Sequence, residues 1–287
     1  MKAIYKRELQ SYFTSMTGYV FIAFMTAIIG IYFVILNLMN GTPYFSHSLS
    51  SLSFTFLVSV PVLTMRSMSE EMKNKTDQLL LTSPVTVGGV VMGKYLAMVT
   101  VFGIVSLLTC ACPLIMSLYG GKIHLSDYGS ILAFFLMGCA AIALGLFISS
   151  LTESQIIACV GTFGALLILF LMSNITRLLP TQSESTCIGF VLLFALLALG
   201  LYSITKNWIL SAAVGLCLIL GAVGLYFWKP EIYSGAFQTI LNSFSLADRF
   251  QNFVYQMFDV SSVVYYLSFA AVFVFLTVQT VQKRRWS

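Results

Sequence analysis

Apolar positions run in long unbroken stretches instead of alternating with polar ones. They cover 18–39, 49–65, 90–119, 130–151, 156–175, 188–205, 208–228 and 263–281, and only Lys94 places a charge inside any of them. The roughly 30 Å hydrocarbon core of a bilayer asks about 20 such residues of each helix. Strands of a membrane barrel would alternate polar and apolar, so the pattern predicts an all-α polytopic membrane protein with about eight transmembrane helices. The second and sixth runs are short, which leaves a re-entrant course open for each. The first run is too long for a signal peptide and lacks a small-x-small cleavage site, so it is expected to stay as a span.

The segments between the runs show a different periodicity. In 1–16, Tyr5, Leu9, Tyr12, Phe13 and Met16 share one helical face while Lys6, Arg7, Gln10, Ser11 and Thr14 take the other. That spacing predicts an amphipathic helix lying in the membrane interface, with Lys6, Arg7 and Glu8 at its charged turn. In 229–262, Phe250, Phe253, Val254, Met257 and Phe258 recur at helical spacing and predict a second amphipathic segment on the opposite side.

The most polar stretch is 67–84. Ser67 and Glu70 have capping-box spacing, Glu71 and Lys75 stand at i and i+4, and Pro84 ends the pattern, so a short helix is expected. Met68, Met72 and Leu79 with Leu80 and Leu81 would give that helix an apolar knob framed by charge. Two readings stand: a docking element for a partner groove, or a solvated loop whose leucines return to the headgroups. The polar turn Thr152-Glu153-Ser154-Gln155 lies between the fourth and fifth runs, where a plain interhelical turn or a smaller contact point would both fit.

Charge then sets orientation. With the N-terminus in the cytoplasm, eleven of the 15 basic residues fall inside (Lys2, Lys6, Arg7, Arg66, Lys73, Lys75, Lys94, Lys206, Lys283, Arg284, Arg285) and four outside (Lys122, Arg177, Lys229, Arg249). This bias predicts both termini cytoplasmic in the plasma membrane. The net charge of +5 is thereby assigned to topology and anionic lipid, with no nucleic-acid partner expected. Composition agrees: 59% hydrophobic and 9% charged, with mean hydropathy +0.93, against roughly 25% charged in soluble domains.

Candidate chemistry is sparse. Gly88 to Lys94 follows a phosphate-loop spacing until Tyr95, which stands where a magnesium-binding Ser or Thr belongs, and no strand precedes it. The glycines are read as helix-packing positions and Lys94 as a side chain snorkelling to the interface. The six cysteines lie in or beside apolar runs and are read as core residues. No His or carboxylate cluster falls within a span, so neither catalysis, nor a metal, nor a nucleotide or other cofactor on this chain is expected. The near absence of intramembrane charge also argues against an ion-coupled carrier or channel, the competing function class.

Glu70-Glu71 with Lys75-Thr76, the block from Leu79 to Pro84, and Gly93-Lys94-Tyr95-Leu96 together resemble the type-2 export permeases of ATP-binding-cassette (ABC) transporters, nearest the gliding-motility-associated branch. Tyr5 to Leu9, Leu151 to Gln155 and Arg284-Arg285-Trp286 extend the likeness along the chain. The resemblance implies a permease subunit of an exporter without an ATPase site, paired with a second permease chain. ATP and Mg would sit on a separate cytosolic ATPase subunit. It also implies that 67–84, with Glu70, Glu71, Lys75, Thr76, Leu79, Leu80 and Pro84, is the coupling segment. Six spans are usual in that family, so 188–228 is expected to be an inserted helical hairpin.

Overall fold

The computed structural model describes residues 1–76, 86–118, 124–178, 236–286 and the single positions 189 and 216. Among them every regular element is helical. In chain order these are α1 (Lys2–Thr14), α2 (Thr17–Tyr32), continuing as a wider π-type turn over Phe33–Met39, α3 (Phe45–Leu52), joined by a 3-10 turn (Ser53–Thr55) to α4 (Phe56–Thr64), α5 (Ser69–Lys73), α6 (Val87–Thr109), α7 (Ala111–Leu118), α8 (Leu125–Leu151), α9 (Gln155–Leu178), α10 (Ala236–Ser243), α11 (Leu246–Val254) and α12 (Val260–Trp286).

Six stretches of the described residues are long and apolar enough to cross a membrane: Thr17–Met39, Phe45–Lys73, Val87–Leu118, Leu125–Leu151, Gln155–Leu178 and Val260–Arg284. They correspond to six of the eight sequence runs. The other two, the expected hairpin at 188–228, lie outside the described residues apart from positions 189 and 216. The second run is longer than its apolar core suggested and has the length of a full crossing. Ser48, just before the run, sits inside α3 with its Oγ donating to Asn37 Oδ1 at 2.6 Å, and Ser53, just past the end of α3, donates its Oγ back to Leu49 O at 3.4 Å.

The chain divides into two compact units, 1–168 with 246–287, and 169–245. In the first, α8 is the central helix, and glycines on it admit bulky neighbours. A Cβ at Gly138 would collide with the Phe102 ring, and one at Gly145 with Thr64. Phe56 meets Phe134 at 4.7 Å and Phe102 at 5.6 Å between ring centroids, and Phe250 closes the cluster from α11. Each of these four side chains is fully buried, so the core is an aromatic plug between α4, α6, α8 and α11. In the second unit, Thr176 and Asn242 share a hydrogen bond at 3.3 Å.

The two ends of the first unit are polar in different ways. At one, Asp127 Oδ1 accepts from Phe45 N at 3.1 Å, Ser46 Oγ donates to Val254 O at 3.2 Å, and Ser130 Oγ donates to Phe253 O at 3.1 Å. The apolar face of α11 is thus turned onto α3 and α8. The expected segment at 229–262 is, over its described part, two short helices, of which α11 covers protein and not lipid. The opposite end holds the ion pairs.

Candidate functional site

Lys94 enters two turns into α6 and is only 2% exposed, so it does not snorkel. Its Nζ reaches Glu8 Oε1 at 3.2 Å, Glu71 Oε1 at 2.9 Å and the carbonyl of Ser67 at 2.9 Å. Arg7 closes the other side, with Nη2 2.7 Å from Glu8 Oε1 and 3.0 Å from Glu71 Oε1. Two cations and two carboxylates form a neutral square linking α1, α5 and α6. The carboxylates are largely shielded, Glu8 at 13% and Glu71 at 19% exposed, which strengthens each bond relative to a surface pair. The hydrogen bond that Arg7 donates to the Glu8 carboxylate, helped by the charges of Glu8 and Glu71 and opposed by partial burial, raises the guanidinium pKa above its ordinary value.

The backbone brings these groups together through close approach of α1 to α6. A Cβ at Gly93 would lie 3.1 Å from Ile4 Cγ2, so the glycine lets α1 settle on α6 one residue before Lys94. Tyr5 and Thr100 bond at 3.0 Å, and the Tyr12 hydroxyl donates to Leu63 O at 3.3 Å while burial raises its pKa. The predicted amphipathic helix is therefore anchored on protein along Ile4, Tyr5 and Tyr12, while Lys6 and Met16 remain exposed.

The segment after α4 departs from its expected local chemistry. The Ser67–Glu70 capping box does not form: α5 starts at Ser69 with no side-chain cap of its own. Instead Ser149, from the end of α8, accepts from Met68 N and Ser69 N at 3.2 Å each. The cap is tertiary, which the local sequence could not show. The Glu71–Lys75 pair is also absent, because Glu71 turns inward to Lys94 and Arg7 while Lys75 adopts φ +56 after the helix ends. Met68 and Met72 are buried against the bundle instead of forming a knob, and the Arg284 guanidinium from α12 meets Met72 Sδ. Glu70 faces out, 42% exposed and 3.3 Å from Arg66 Nε. Lys73, Asn74, Lys75 and Thr76 are exposed beside it. Leu79, Leu80 and Pro84 lie outside the described residues.

The second candidate turn is self-contained. Thr152 Oγ1 accepts from Ser154 N at 3.2 Å, and Ser154 Oγ accepts from Ile157 N at 3.5 Å, starting α9. Glu153 is exposed and Gln155 half-buried. Its neighbour Ser149 is the residue that touches α5, so the two cytoplasm-assigned turns are connected through Ser149 and not through Thr152 to Gln155.

An open cleft of about 660 Å³ lies over this end, lined by Arg7, Glu8, Tyr12, Arg66, Glu70 and Glu71 among others. Among the described residues no His, Cys, Asp or Glu group has the arrangement of a metal site. The arrangement is mechanical in kind: a five-residue helix held on three sides by charge and one borrowed cap, with one carboxylate left outward.

Comparison with curated proteins and with solved structures gives no match. The profile of the ABC-2 family transporter protein matches residues 15–214, from just after α1 through all but the last part of the chain. The match is to the family as a whole and does not reach the gliding-motility branch. With six stretches able to cross a membrane, the chain is a multi-pass protein of the plasma membrane. It belongs to the ABC-2 transporter family.

Proposed function

We propose that this chain is the permease subunit of an ATP-driven exporter and that its motor is a separate cytosolic ATP-binding-cassette subunit, which binds the ATP and Mg. A second permease chain, identical or homologous, completes the pathway. The end carrying the Lys94 cluster faces the cytoplasm in this reading, which the eleven-to-four distribution of basic residues supports. Force enters through 67–84.

The observation that carries the proposal is the division of labour between adjacent glutamates. Glu71 locks α5 to α1 and α6, whereas Glu70 and the exposed run Lys73 to Thr76 present an unburied polar surface. A push on the outer face of α5 is delivered to α6 through Glu71–Lys94 and to α1 through Glu71–Arg7, both salt bridges no longer than 3.0 Å. Thr152 to Gln155 stands as a secondary contact for the same partner, and Lys6, Arg7 and Glu8 as the interfacial arm of the lever.

The test separates the two glutamates. Glu70→Lys should leave the melting temperature of the purified chain unchanged but weaken capture of the ATP-binding-cassette subunit from native membranes and reduce cargo-stimulated hydrolysis. If Glu70→Lys binds and stimulates that subunit as the wild type does, the docking assignment is lost. If no ATP-binding-cassette subunit co-purifies from native membranes, the exporter reading falls with it.

A further inference from the structure

The outward charges of α5 have a direction. At its start Glu70 lies 3.3 Å from Arg66 Nε, both side chains partly exposed, so that end is neutral. At its far end Lys73 and Lys75 are exposed, and among the described residues neither has a carboxylate within ion-pair distance. Glu71, the acid that sequence spacing would give to Lys75, is held by Lys94 and Arg7. The end of α12 adds to the same side: the Arg284 guanidinium meets Met72 Sδ, and Lys283 beside it is exposed. Like charges drawn together repel, and the described part of the chain supplies no anion to answer them.

Lys75 is also held in place at a cost. A Schellman closure ends α5, with Thr76 N donating to Glu71 O at 2.9 Å and Lys75 N to Met72 O at 3.1 Å. The left-handed position of that motif, ordinarily glycine, is Lys75 at φ +56. A side chain there strains the backbone, and strain of this kind is kept where the side chain has a task. The two carbonyls that anchor it belong to Glu71, locked in the buried square, and to buried Met72, so the base of the Lys75 side chain is fixed to the least mobile part of α5.

Fixity narrows the partner. An anionic leaflet attracts cations wherever they stand near its surface and makes no demand on the backbone at one position; glycine at 75 with lysines beside it would serve as well. A carboxylate on a folded protein has a set place. A cation already positioned meets it with little further ordering, and charges matched along a face fix the register of docking.

We propose that the ATP-binding-cassette subunit receives α5 in a groove with carboxylates at one end, opposite Lys73 and Lys75, and none at the end that receives Glu70. Lys75 is the anchoring cation. This rests on the docking of α5 proposed above and adds the chemistry of the surface that meets it.

The experiment uses the full chain in phosphatidylcholine nanodiscs, and the ATP-binding-cassette subunit that co-purifies with it from native membranes, stripped and rebound. Lys75→Gly relieves the strained backbone, so it should melt no lower than the wild type, yet bind the subunit about tenfold more weakly, the worth of one charge pair across an interface. Lys75→Arg keeps the cation and should bind as the wild type does. Wild-type affinity should fall as salt is raised, and more steeply than that of Lys75→Gly. Lys73→Gln should weaken binding in the same direction. Equal binding by Lys75→Gly and wild type, loss in Lys75→Arg as large as in Lys75→Gly, or equal salt dependence would each overturn the acidic groove while leaving the docking of α5 standing. A Lys75 effect seen only when phosphatidylglycerol is added to the nanodiscs would assign the cations to lipid and overturn it too. If no such subunit co-purifies, both readings fall.

Discussion

Replacing Lys94 by Met removes the cation that serves Glu8 and Glu71 and also the donor to Ser67 O. Methionine retains most of the buried stem, so the measured loss is electrostatic and not a cavity. Arg7 remains, but it is 53% exposed and must then serve both carboxylates alone. Breaking one partner from a buried pair costs about 3–5 kcal/mol, and because both glutamates keep some water the lower figure, about 3 kcal/mol, applies here. At about 2–4 °C per kcal/mol for chains of this order of size, the melting temperature in detergent should fall by about 6–12 °C. Fluorescence-detected gel filtration after a heating series reads this directly. Glu71→Gln in the Lys94→Met background should recover part of the loss, because it deletes the stranded charge, and the double-mutant cycle should show about 1 kcal/mol or more of coupling. A Lys94→Met chain melting within about 2 °C of the wild type, or strictly additive effects, would refute the buried square as the lock on α5.

Three further outcomes are expected. Ser149→Ala takes the shared acceptor from Met68 N and Ser69 N and should destabilise by about 1–2 kcal/mol, seen as faster proteolysis of the 67–84 segment in detergent. Gly145→Ala drives a Cβ into Thr64 and should cost about 1–3 kcal/mol by overpacking, partly recovered by Thr64→Ala in the same melting assay. Asp259 leads into α12 with its carboxylate bound by Ser262 Oγ at 2.7 Å, Asn252 Nδ2 at 2.8 Å and Ser261 N at 2.9 Å, and the Ser262 bond first and the Asn252 bond second hold it below its ordinary pKa of 3.8. A depressed carboxylate stabilises the fold above the unfolded pKa and loses that contribution as pH falls through the folded one, so wild-type melting should drop below about pH 4 and Asp259→Ala should show a shallower drop.

The spans were legible because the constraint behind them is one-dimensional: a helix in lipid satisfies its backbone internally and presents apolar side chains along its whole length. Runs of uncharged residues record that without any knowledge of packing. The polar segment 67–84 was legible as a place but not as a structure. Ser67, Glu70, Glu71 and Lys75 have the spacings of local helix pairs worth a few tenths of a kcal/mol each, and such pairs yield readily to buried tertiary partners. Here Ser149 and Lys94, distant in sequence, took the cap and the carboxylate. The face of α11 was likewise visible as amphipathic, but periodicity states only that a face is apolar; Ser46 and Ser130 bonding its last carbonyls turn it toward protein.

Lys94 is the residue the sequence hid most completely, since a single lysine near the end of an apolar run fits snorkelling in every local respect. The clue lay elsewhere, in two carboxylates that each end up serving the same cation: Glu8, the one acid of α1, and Glu71. Once Gly93 admits α1 against α6, Lys94 is sealed from water and must be paired on the spot, which draws Glu71 inward and fixes the register of α5. On a helix of five residues, successive side chains diverge by about 100°, so turning Glu71 in necessarily turns Glu70 out. The outward face of α5, where we propose that a motor subunit docks, is thus set by the buried lysine. A stress applied at Glu70 reaches the Lys94 square through a single peptide unit, which is why exchange of Glu70 should spare stability and change coupling, whereas exchange of Glu71 should change both.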